Sequence, residues 1–553
     1  MNKMIKYSLL ALAVGALAVS CADYNETNGF SAEPDPTVVI PYKELNAVKS
    51  YIDRQTYPNM TLGAQLKVAD FNKQELAHAV AVTNFDDVAF GTTLMSGSIV
   101  NAKGLMNFLD MKDLLDHVQE IGGSVFGSPL FANANQADDW LKTLTAPIEI
   151  PVDYVEGKTV DFNEMSTGTF PAEKGKASIV NYDGQNVLQI SATPIPGQVS
   201  IVDGFEVDPL ATYTITFWAK AEKDATFTVD FSGNKIPGSG PNNAWTFKAG
   251  KWTKIVVEGK SAADATEGFF KIINTRSAVI YIQKVQVGYY PDNHRLQTEQ
   301  ELKDTIDYAI NAWCDGLMKI NAGRIKSFDL IDEPIDTKSA EVDPGIYDIK
   351  HSTEKIFWQD VLGSENYAPV VAKEARAAYE KHGGNAEDLK FFISETGLED
   401  QKTFESLKYW IEKWDAKGAK IDGINAKLSL TFSEDATVQT ANTESVDKLL
   451  ANLASTDKII RLSNFDITYK DASGANVAAK DITEGQRKNL ADYYAYVIKQ
   501  YMSTIPHKNQ AGICKANMAD TNDPVGLWSV DAKTKDWVRT ATYKAFCDAL
   551  SGK

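Results

Sequence analysis

Two adjacent carboxylates, Asp332 and Glu333, are the residues of this chain best placed to do chemistry. They end the short apolar run of the segment FDLIDEP at 328–334, and Pro334 follows them. Such a run predicts a buried strand that stops at the proline. Carboxylates at the carboxyl end of a parallel barrel strand serve as general acids or bases. Taken alone, the same residues also fit an ordinary strand end followed by a turn.

The surrounding chain predicts the elements that must position these carboxylates. Residues 46–144 and 291–553 alternate short apolar strands with helical spacing, which indicates a parallel sheet or barrel. Residues 145–290 alternate by twos, with Gly, Pro and Asn between the runs, which indicates an antiparallel β-sandwich. We therefore predict an α/β fold, a (β/α)8 TIM barrel interrupted by an inserted β-sandwich.

Composition excludes several classes of partner. The 553 residues include 56 basic and 74 acidic side chains, and the net charge of −18 repels nucleic acid and anionic lipid. A neutral polysaccharide is not repelled by this charge. The cysteines after Cys21 are far apart and have no His or Cys at ligand spacing, so we predict no metal site. No cofactor is predicted, although a structural calcium ion in the sandwich stays open.

The N-terminus has the pattern of a bacterial lipoprotein signal. A basic start, a short apolar run and small residues lead to Cys21, and the run is too short to span a bilayer. Residues 1–20 are therefore interpreted as a signal peptide, Cys21 as the lipid anchor and 21–45 as a polar tether. A secreted protein with an incidental Cys21 is the alternative. Asp23 and Glu26 resemble surface-export signals of gut bacterial lipoproteins, which predicts a surface-exposed anchor in the outer membrane.

Five segments, in the right order, resemble motifs of glycoside hydrolase family 10. Most members of this family are endo-β-1,4-xylanases on (β/α)8 barrels. The matching segments are 328–336, 357–367, 391–399, 421–424 and 461–467. A carbohydrate-binding module inserted after the third strand also occurs in relatives from gut Bacteroidetes. The resemblance implies retaining hydrolysis by two glutamates, one protonating the leaving oxygen and one attacking the anomeric carbon.

This chain departs from the family at most of its polar active-site positions. The resemblance puts Glu333 at the acid/base position but Asn464 at the nucleophile position, and an amide cannot form the glycosyl-enzyme ester. Family residues that hold the sugar or support the nucleophile are replaced at 91–95, Ser128 and 427–429. Asp466 is retained, and we keep it as a candidate sugar contact.

The β-sandwich offers aromatic rings on which sugars could stack. Trp245 follows a polar loop and is therefore expected to be exposed. Trp252 and Tyr281 are further candidates, although their alternating strands favour core positions. Trp218 ends the strongest strand and is expected to lie in the core.

Three functions remain open from the sequence. The first is a cell-surface lipoprotein that binds a xylan-type β-glycan with little or no hydrolysis. The second is a retaining endo-β-1,4-xylanase in which Glu395 or Glu434 supplies a relocated nucleophile. The third is a structural subunit of a glycan-import complex.

Overall fold

A computed structural model describes residues 42–208, 211–275, 278–291 and 293–553. The signal peptide, Cys21, Asp23, Glu26 and most of the predicted tether lie outside these residues. The described chain divides into two units, one formed by the residues up to Ala146 with Thr298–Lys553, the other by Pro147–Gln297. Within the described residues, no helix is both long and apolar enough to cross a membrane.

Eight parallel strands form a closed barrel in the first unit. They are β1 (Thr61–Gln65), β2 (Asp87–Ala89), β3 (Ser124–Phe126), β4 (Ser327–Asp332), β5 (Lys390–Glu395), β6 (Gly423–Lys427), β7 (Ile459–Ser463) and β8 (Gln510–Lys515). Apart from β3 and β4, neighbours in this order pair in parallel, and β8 pairs with β1. Gly127 and the strand Phe131–Ala132 connect the end of β3 to β4. The predicted (β/α)8 barrel is confirmed.

Amphipathic helices surround these strands. The α-helices are Val68–Asn72, Leu76–Asn84, Ser96–Ile99, Leu109–Glu120, Asp138–Leu144, Glu299–Asn321, Trp358–Leu362, Tyr367–Lys381, Gln401–Ala416, Ala436–Ala454, Glu484–Thr504 and Ala541–Leu550. In Gln401–Ala416, buried residues recur every three or four positions, as at Leu407, Trp410 and Trp414, which gives this helix one apolar face. Two long helices begin with reciprocal capping boxes at Thr298 and Thr483. Short paired strands outside the barrel are Glu341–Asp343 with Ile346–Tyr347, Leu430–Ser433 with Ile467–Lys470, and Trp528–Val530 with Trp537–Arg539.

A buried ion pair crosses the barrel interior. Arg461 of β7 donates to both carboxylate oxygens of Asp87 on β2, at 2.8 and 3.1 Å. Both side chains are almost fully buried, so each charge depends on the other. Gly63 of β1 provides the space, because a Cβ there would lie 2.3 Å from Asp87 Oδ1 and 2.7 Å from Arg461 Nη2. The pair therefore constrains β1, β2 and β7 together.

The second unit is an antiparallel β-sandwich, as its alternation predicted. One sheet contains Gln198–Glu206, Glu267–Asn274, Ala225–Phe231, Asn234–Ile236 and Trp245–Phe247. The other contains Thr253–Lys260, Thr212–Ala221, Ile280–Tyr289, Gln185–Ile190, Ala177–Tyr182, Gly168–Phe170 and Val155–Asp161. Phe217 contacts Phe227 and Phe270 of the opposite sheet, so the sheets share an aromatic core. Ile148–Glu149 pairs with His294–Arg295 where the chain enters and leaves this unit.

Gly63→Ala tests the constraint in the barrel interior. The added methyl group would displace the Asp87–Arg461 pair, and breaking a buried pair costs about 3–5 kcal/mol. We expect the free energy of unfolding, measured by chemical denaturation, to fall by an amount of this order. Gly485→Ala is the control, because its Cβ would meet nothing within 4 Å and it lies in a helix. A similar stability of the two variants would contradict this account of the interior.

Candidate functional site

The two residues assigned to the catalytic positions have the same unusual backbone conformation. Glu333, just after β4, has φ +45°, and Asn464, just after β7, has φ +52°. Left-handed non-glycine residues cost about 1–3 kcal/mol each and cluster at functional sites. The amide of Glu333 donates to the carbonyl of Ser394 at 2.8 Å, which helps to fix this geometry. Both residues follow the carboxyl ends of their strands, where barrels carry their sites.

Lysine side chains contact the carboxylates of Asp332, the last residue of β4, and of Glu333, which follows it. Lys427, the last residue of β6, places its ammonium 3.0 Å from Glu333 Oε1 and also forms a short ion pair with Asp332. The hydroxyl of Ser394 donates to Asp332 Oδ1 at 2.6 Å. On the other side, Lys350 Nζ lies 3.7 Å from Glu333 Oε2. Both carboxylates are therefore paired with cations.

These contacts decide the protonation state of Glu333. Burial alone would raise the pKa of Glu333, but the ammonium groups of Lys427 and Lys350 outweigh it and lower the pKa below its usual value. Burial would lower the pKa of Lys427, but Asp332 and Glu333 raise it. A general acid in glycoside hydrolysis needs a raised pKa to carry its proton at working pH. The two lysines therefore favour the carboxylate form of Glu333.

The nucleophile side of the site offers no free carboxylate at the expected position. The side chain of Asn464 is exposed but is an amide. Asp466 forms an ion pair with Lys515, the fully buried last residue of β8, and accepts from Asn517 Nδ2 at 2.6 Å. Loss of hydration lowers the pKa of Lys515, so this cation needs its partner. Asp466 therefore neutralises a buried charge, and its predicted sugar contact remains a prediction.

Glu395 and Glu434, the two candidates for a relocated nucleophile, are both committed to other contacts. Glu395 of β5 is 3% exposed and accepts from two backbone amides, including that of Ile335 at 3.0 Å. Its burial raises its pKa to about 7. Glu434 is exposed and accepts from the Tyr469 hydroxyl and the Gln486 amide, each at 2.9 Å. Neither lines the cleft beside Glu333.

The strand ends that hold sugar in the family are filled differently here. The segment Gly91–Leu94 forms a short 3-10 helix after β2, and Leu94 and Met95 are buried. Ser128 donates its hydroxyl to the carbonyl of Gly91 at 2.8 Å. These positions therefore supply apolar packing and a loop contact in place of charged sugar ligands.

A cleft of about 330 Å³ opens on the other side of Glu333. Its lining residues are Asn133, Ala134, Asp332, Glu333, Asp336, Lys350, His351 and Phe357. Carboxylates and cations are mixed along this surface, and His351 is held through Nδ1 by Asp360. In the part of the chain that the structure describes, no group of three or more His, Cys, Asp or Glu could hold a metal ion.

Two expectations about tryptophans of the sandwich are wrong. Trp245 is not in an exposed loop: it begins the strand Trp245–Phe247, packs on the core and donates its indole N–H to Ile236 at 3.2 Å. The strand Trp245–Phe247 pairs antiparallel with Ala225–Phe231, and the Trp245 ring is therefore partly buried against the core. Trp218 is 41% exposed and not in the core, because strand alternation turns Phe217 inward and Trp218 outward.

The outer face of the larger sheet carries four aromatic rings, which we call the aromatic platform: Tyr182, Trp218, Trp252 and Tyr281. The rings of Tyr182 and Tyr281 lie 4.4 Å apart, and Tyr182 and Trp252 lie 6.4 Å apart. Lys220, which pairs in register with Tyr281, places its ammonium 4.7 Å from the Tyr182 ring. Trp218 is on the same face, two residues earlier in the strand. Of the predicted rings, Trp252 is half-buried on this face and Tyr281 is only 5% exposed, whereas Trp245 lies in the other sheet.

Polar groups surround these rings. Gln189 donates to the hydroxyl of Tyr281 at 3.4 Å, and that hydroxyl donates to Glu222 at 3.3 Å. Next along the sheet, the amides of Gln283 and Gln185 are joined at 2.8 Å. Flat rings bordered by amides and carboxylates suit a hydroxylated ligand with apolar C–H faces.

Lys427→Met tests the electrostatics at the barrel mouth. Without this ammonium, burial dominates and the pKa of Glu333 should rise, as a pH titration of the 13C carboxyl resonance would show, with the signal assigned by its absence in Glu333→Gln. Because the pKa of Glu333 is lowered in the folded wild type, its stabilising effect is present above the pKa of an unfolded glutamate, about 4.3, and is lost as the pH falls. The stability difference between variant and wild type should therefore shrink in acid.

Lys373→Met, at an exposed helix position, is the control and should change neither the titration of Glu333 nor the stability. An unchanged titration of Glu333 in Lys427→Met would refute the account.

Comparisons with known proteins agree with the barrel fold of the first unit. Residues 289–531 match the model of glycosyl hydrolase family 10. The chain is similar to the Penicillium canescens endo-1,4-beta-xylanase XylE (12% identity, 92% of this chain and 98% of that chain, TM-score 0.50). It is also similar to xylanase B from Clostridium stercorarium F9 (11% identity, 91% and 100%, TM-score 0.51). No curated protein matches the sequence. The family model thus matches the part of the chain that carries β4 to β8, and the first unit has the barrel fold of the xylanases to which the chain is similar.

Proposed function

We propose that this protein binds a β-linked, xylan-type polysaccharide and hydrolyses it little or not at all. The observation that carries the proposal is the contact of Lys427 with Asp332 and Glu333, opposite a nucleophile position occupied by Asn464. Retaining hydrolysis needs a protonated acid and a free carboxylate nucleophile about 5 Å apart. This barrel mouth supplies an ionised, paired glutamate and an amide.

Binding is supported by the aromatic platform of the sandwich. Stacking of sugar C–H groups on aromatic rings adds to the burial of apolar surface, and each such contact is worth about 0.5–1.5 kcal/mol. Trp218 and the half-buried Trp252 present the accessible ring surface, while Gln189 and Glu222 offer hydrogen-bonding groups for hydroxyls. The choice of xylan follows the structures that the chain is similar to, which are named as xylanases.

The location that we propose is the outer face of the outer membrane. It is supported by the sequence alone, through the signal-like residues 1–20, Cys21 as the lipid anchor and the polar residues that follow. A tethered binding protein would hold the polysaccharide at the cell surface. We further propose that the protein could belong to a glycan-import complex there.

Affinity electrophoresis in gels containing xylan tests this function. We expect the wild-type protein to be retarded, and the double variant Trp218→Ala/Trp252→Ala to lose about tenfold or more in affinity, since two contacts of this size are removed. Tyr308→Ala removes an exposed ring from a barrel helix and is the matched control, which should bind like the wild type. The same protein incubated with xylan should release no reducing ends.

Two results would contradict the proposal. Absence of retardation in xylan, mannan and β-glucan gels would refute glycan binding. Release of reducing ends at ordinary xylanase rates, abolished by Glu333→Gln, would show that the barrel is an active retaining enzyme.

A further inference from the structure

We infer that the aromatic platform takes a glycan that carries uronate groups, and that Lys254 is the residue that binds the sugar carboxylate. The inference rests on the proposed function, because it takes the platform to be the glycan-binding surface. It goes beyond that function by adding a charged substituent to the ligand and a specificity-determining residue to the site.

Two lysines alternate with the two tryptophans of the platform. Trp218 pairs in register with Lys254 of the neighbouring antiparallel strand. Continued by one residue beyond the paired strands, the same register brings Lys220 beside Trp252, and its ammonium lies 6.0 Å from the centre of that ring. Directly opposed residues of antiparallel strands have Cβ atoms about 4.5–5.5 Å apart. Each tryptophan therefore has a lysine as its cross-strand neighbour.

The charges of the two lysines differ in how far they are already used. The side chain of Lys220 is 14% exposed, and its ammonium lies 3.4 Å from Asp183 Oδ2 and 4.7 Å from the centre of the Tyr182 ring. Lys254 is exposed, and no carboxylate among the described residues forms an ion pair with it. The ammonium of Lys254 is therefore available to a ligand.

The side chains next to Lys254 on this face of the sheet are aromatic, aliphatic, polar or basic. Along the strand, across it and on the diagonals, these neighbours are Trp252, Val256, Trp218, Thr216 and Lys220. Glu258 is the nearest acidic residue of the same strand and face, four residues away, which is about 13 Å at 3.3 Å per residue. A ligand carboxylate at Lys254 would thus meet no acidic neighbour in the described sheet.

The charges at this end of the sheet are positive on balance. Asp183 pairs with Lys220, and Glu222 accepts from the Tyr281 hydroxyl at 3.3 Å, both on the side of the strand Thr212–Ala221 that is away from Lys254. In the adjoining bends, Asp224 and Lys248 neutralise each other at 2.7 Å. Two carboxylates are thus left against four lysines, which are Lys220, Lys223, Lys251 and Lys254.

The net charge of −18 does not cancel this local excess. At physiological ionic strength, interactions between exposed charges are largely screened beyond about 8 Å. The side chains around Lys254 therefore determine which ligand charge is favoured there, and they favour an anion.

A uronate sugar has both features that Trp218 and Lys254 recognise. The C–H groups of its ring pack on the face of an indole, and its carboxylate extends from the edge of the ring. With the sugar ring on Trp218, the carboxylate is within reach of the Lys254 ammonium, which a flexible four-carbon stem carries. The contact is charge-assisted and therefore stronger than one between neutral groups. A neutral sugar on the same ring would gain the stacking alone.

The test compares two ligands of the full chain by isothermal titration calorimetry. One is a xylo-oligosaccharide with a single glucuronate group, and the other is the same compound with its carboxyl group reduced to a primary alcohol. We expect the wild type to bind the uronate ligand about fivefold more tightly, which corresponds to about 1 kcal/mol for a partly exposed charge pair. In Lys254→Met this preference should disappear, because the affinity for the uronate ligand falls to that for the reduced ligand.

Lys260→Met is the matched control. Lys260 is exposed on the same face of the same strand, six residues and about 20 Å from Lys254, so this variant should keep the full preference. Equal melting temperatures would show that both variants remain folded. Raising the ionic strength from about 0.01 M to about 1 M should remove most of the wild-type preference, since the Debye length falls from about 30 Å to about 3 Å.

Three results would overturn the inference and leave the proposed function standing, because the reduced ligand is bound in each of them. The first is equal affinity of the wild type for the two ligands. The second is a preference for the uronate ligand that survives in Lys254→Met, and the third is a preference that is undiminished at about 1 M salt. If the wild type binds neither ligand and is not retarded by xylan, the proposed function falls and the inference falls with it.

Discussion

Cations that are buried away from water need carboxylate partners. Three consecutive strands of this barrel each carry one buried cation. Lys427 of β6, Arg461 of β7 and Lys515 of β8 are each largely or fully buried. Removing an ion from water costs several kcal/mol unless a counter-charge is at hand. Their partners are Asp332 and Glu333 for Lys427, Asp87 for Arg461, and Asp466 for Lys515. The acidic residues of the barrel mouth are thereby used as counter-ions.

This use of the acids supports the proposal that the barrel keeps the fold of the xylanases without their hydrolysis. The resemblance puts Glu333 at the position of a proton donor, but its contact with Lys427 favours its carboxylate form. Glu333 and Asn464 both adopt the left-handed backbone conformation. Strain of this kind is retained only where the surrounding structure determines it, so the backbone at both positions is held in place by its neighbours.

Much of the architecture could be predicted from local patterns, whereas the decisive contacts could not. Strand and helix periodicity, the proline after Glu333 and the ordered motifs predict the barrel, the sandwich and the position of Asn464. The pairing of Lys427 with Glu333 joins residues that are far apart in sequence, and no periodicity reports it; the lysine stood out only as a departure from a family motif. Trp218 was a different kind of error. Side chains alternate between the two faces of a strand, so an inward-facing Phe217 implies that Trp218 faces outward. The large apolar side chain of Trp218 nevertheless suggested a core position.

Covalent trapping of the anomeric carbon tests the central claim most directly. A 2-deoxy-2-fluoro-xylobioside with a good leaving group needs no acid, so any correctly placed carboxylate nucleophile would form a stable glycosyl ester. The account predicts that the intact mass of the protein stays unchanged after prolonged incubation. A mass increase of one fluoro-xylobiosyl group, mapped to Glu395, Glu434 or another carboxylate of the barrel mouth, would contradict it.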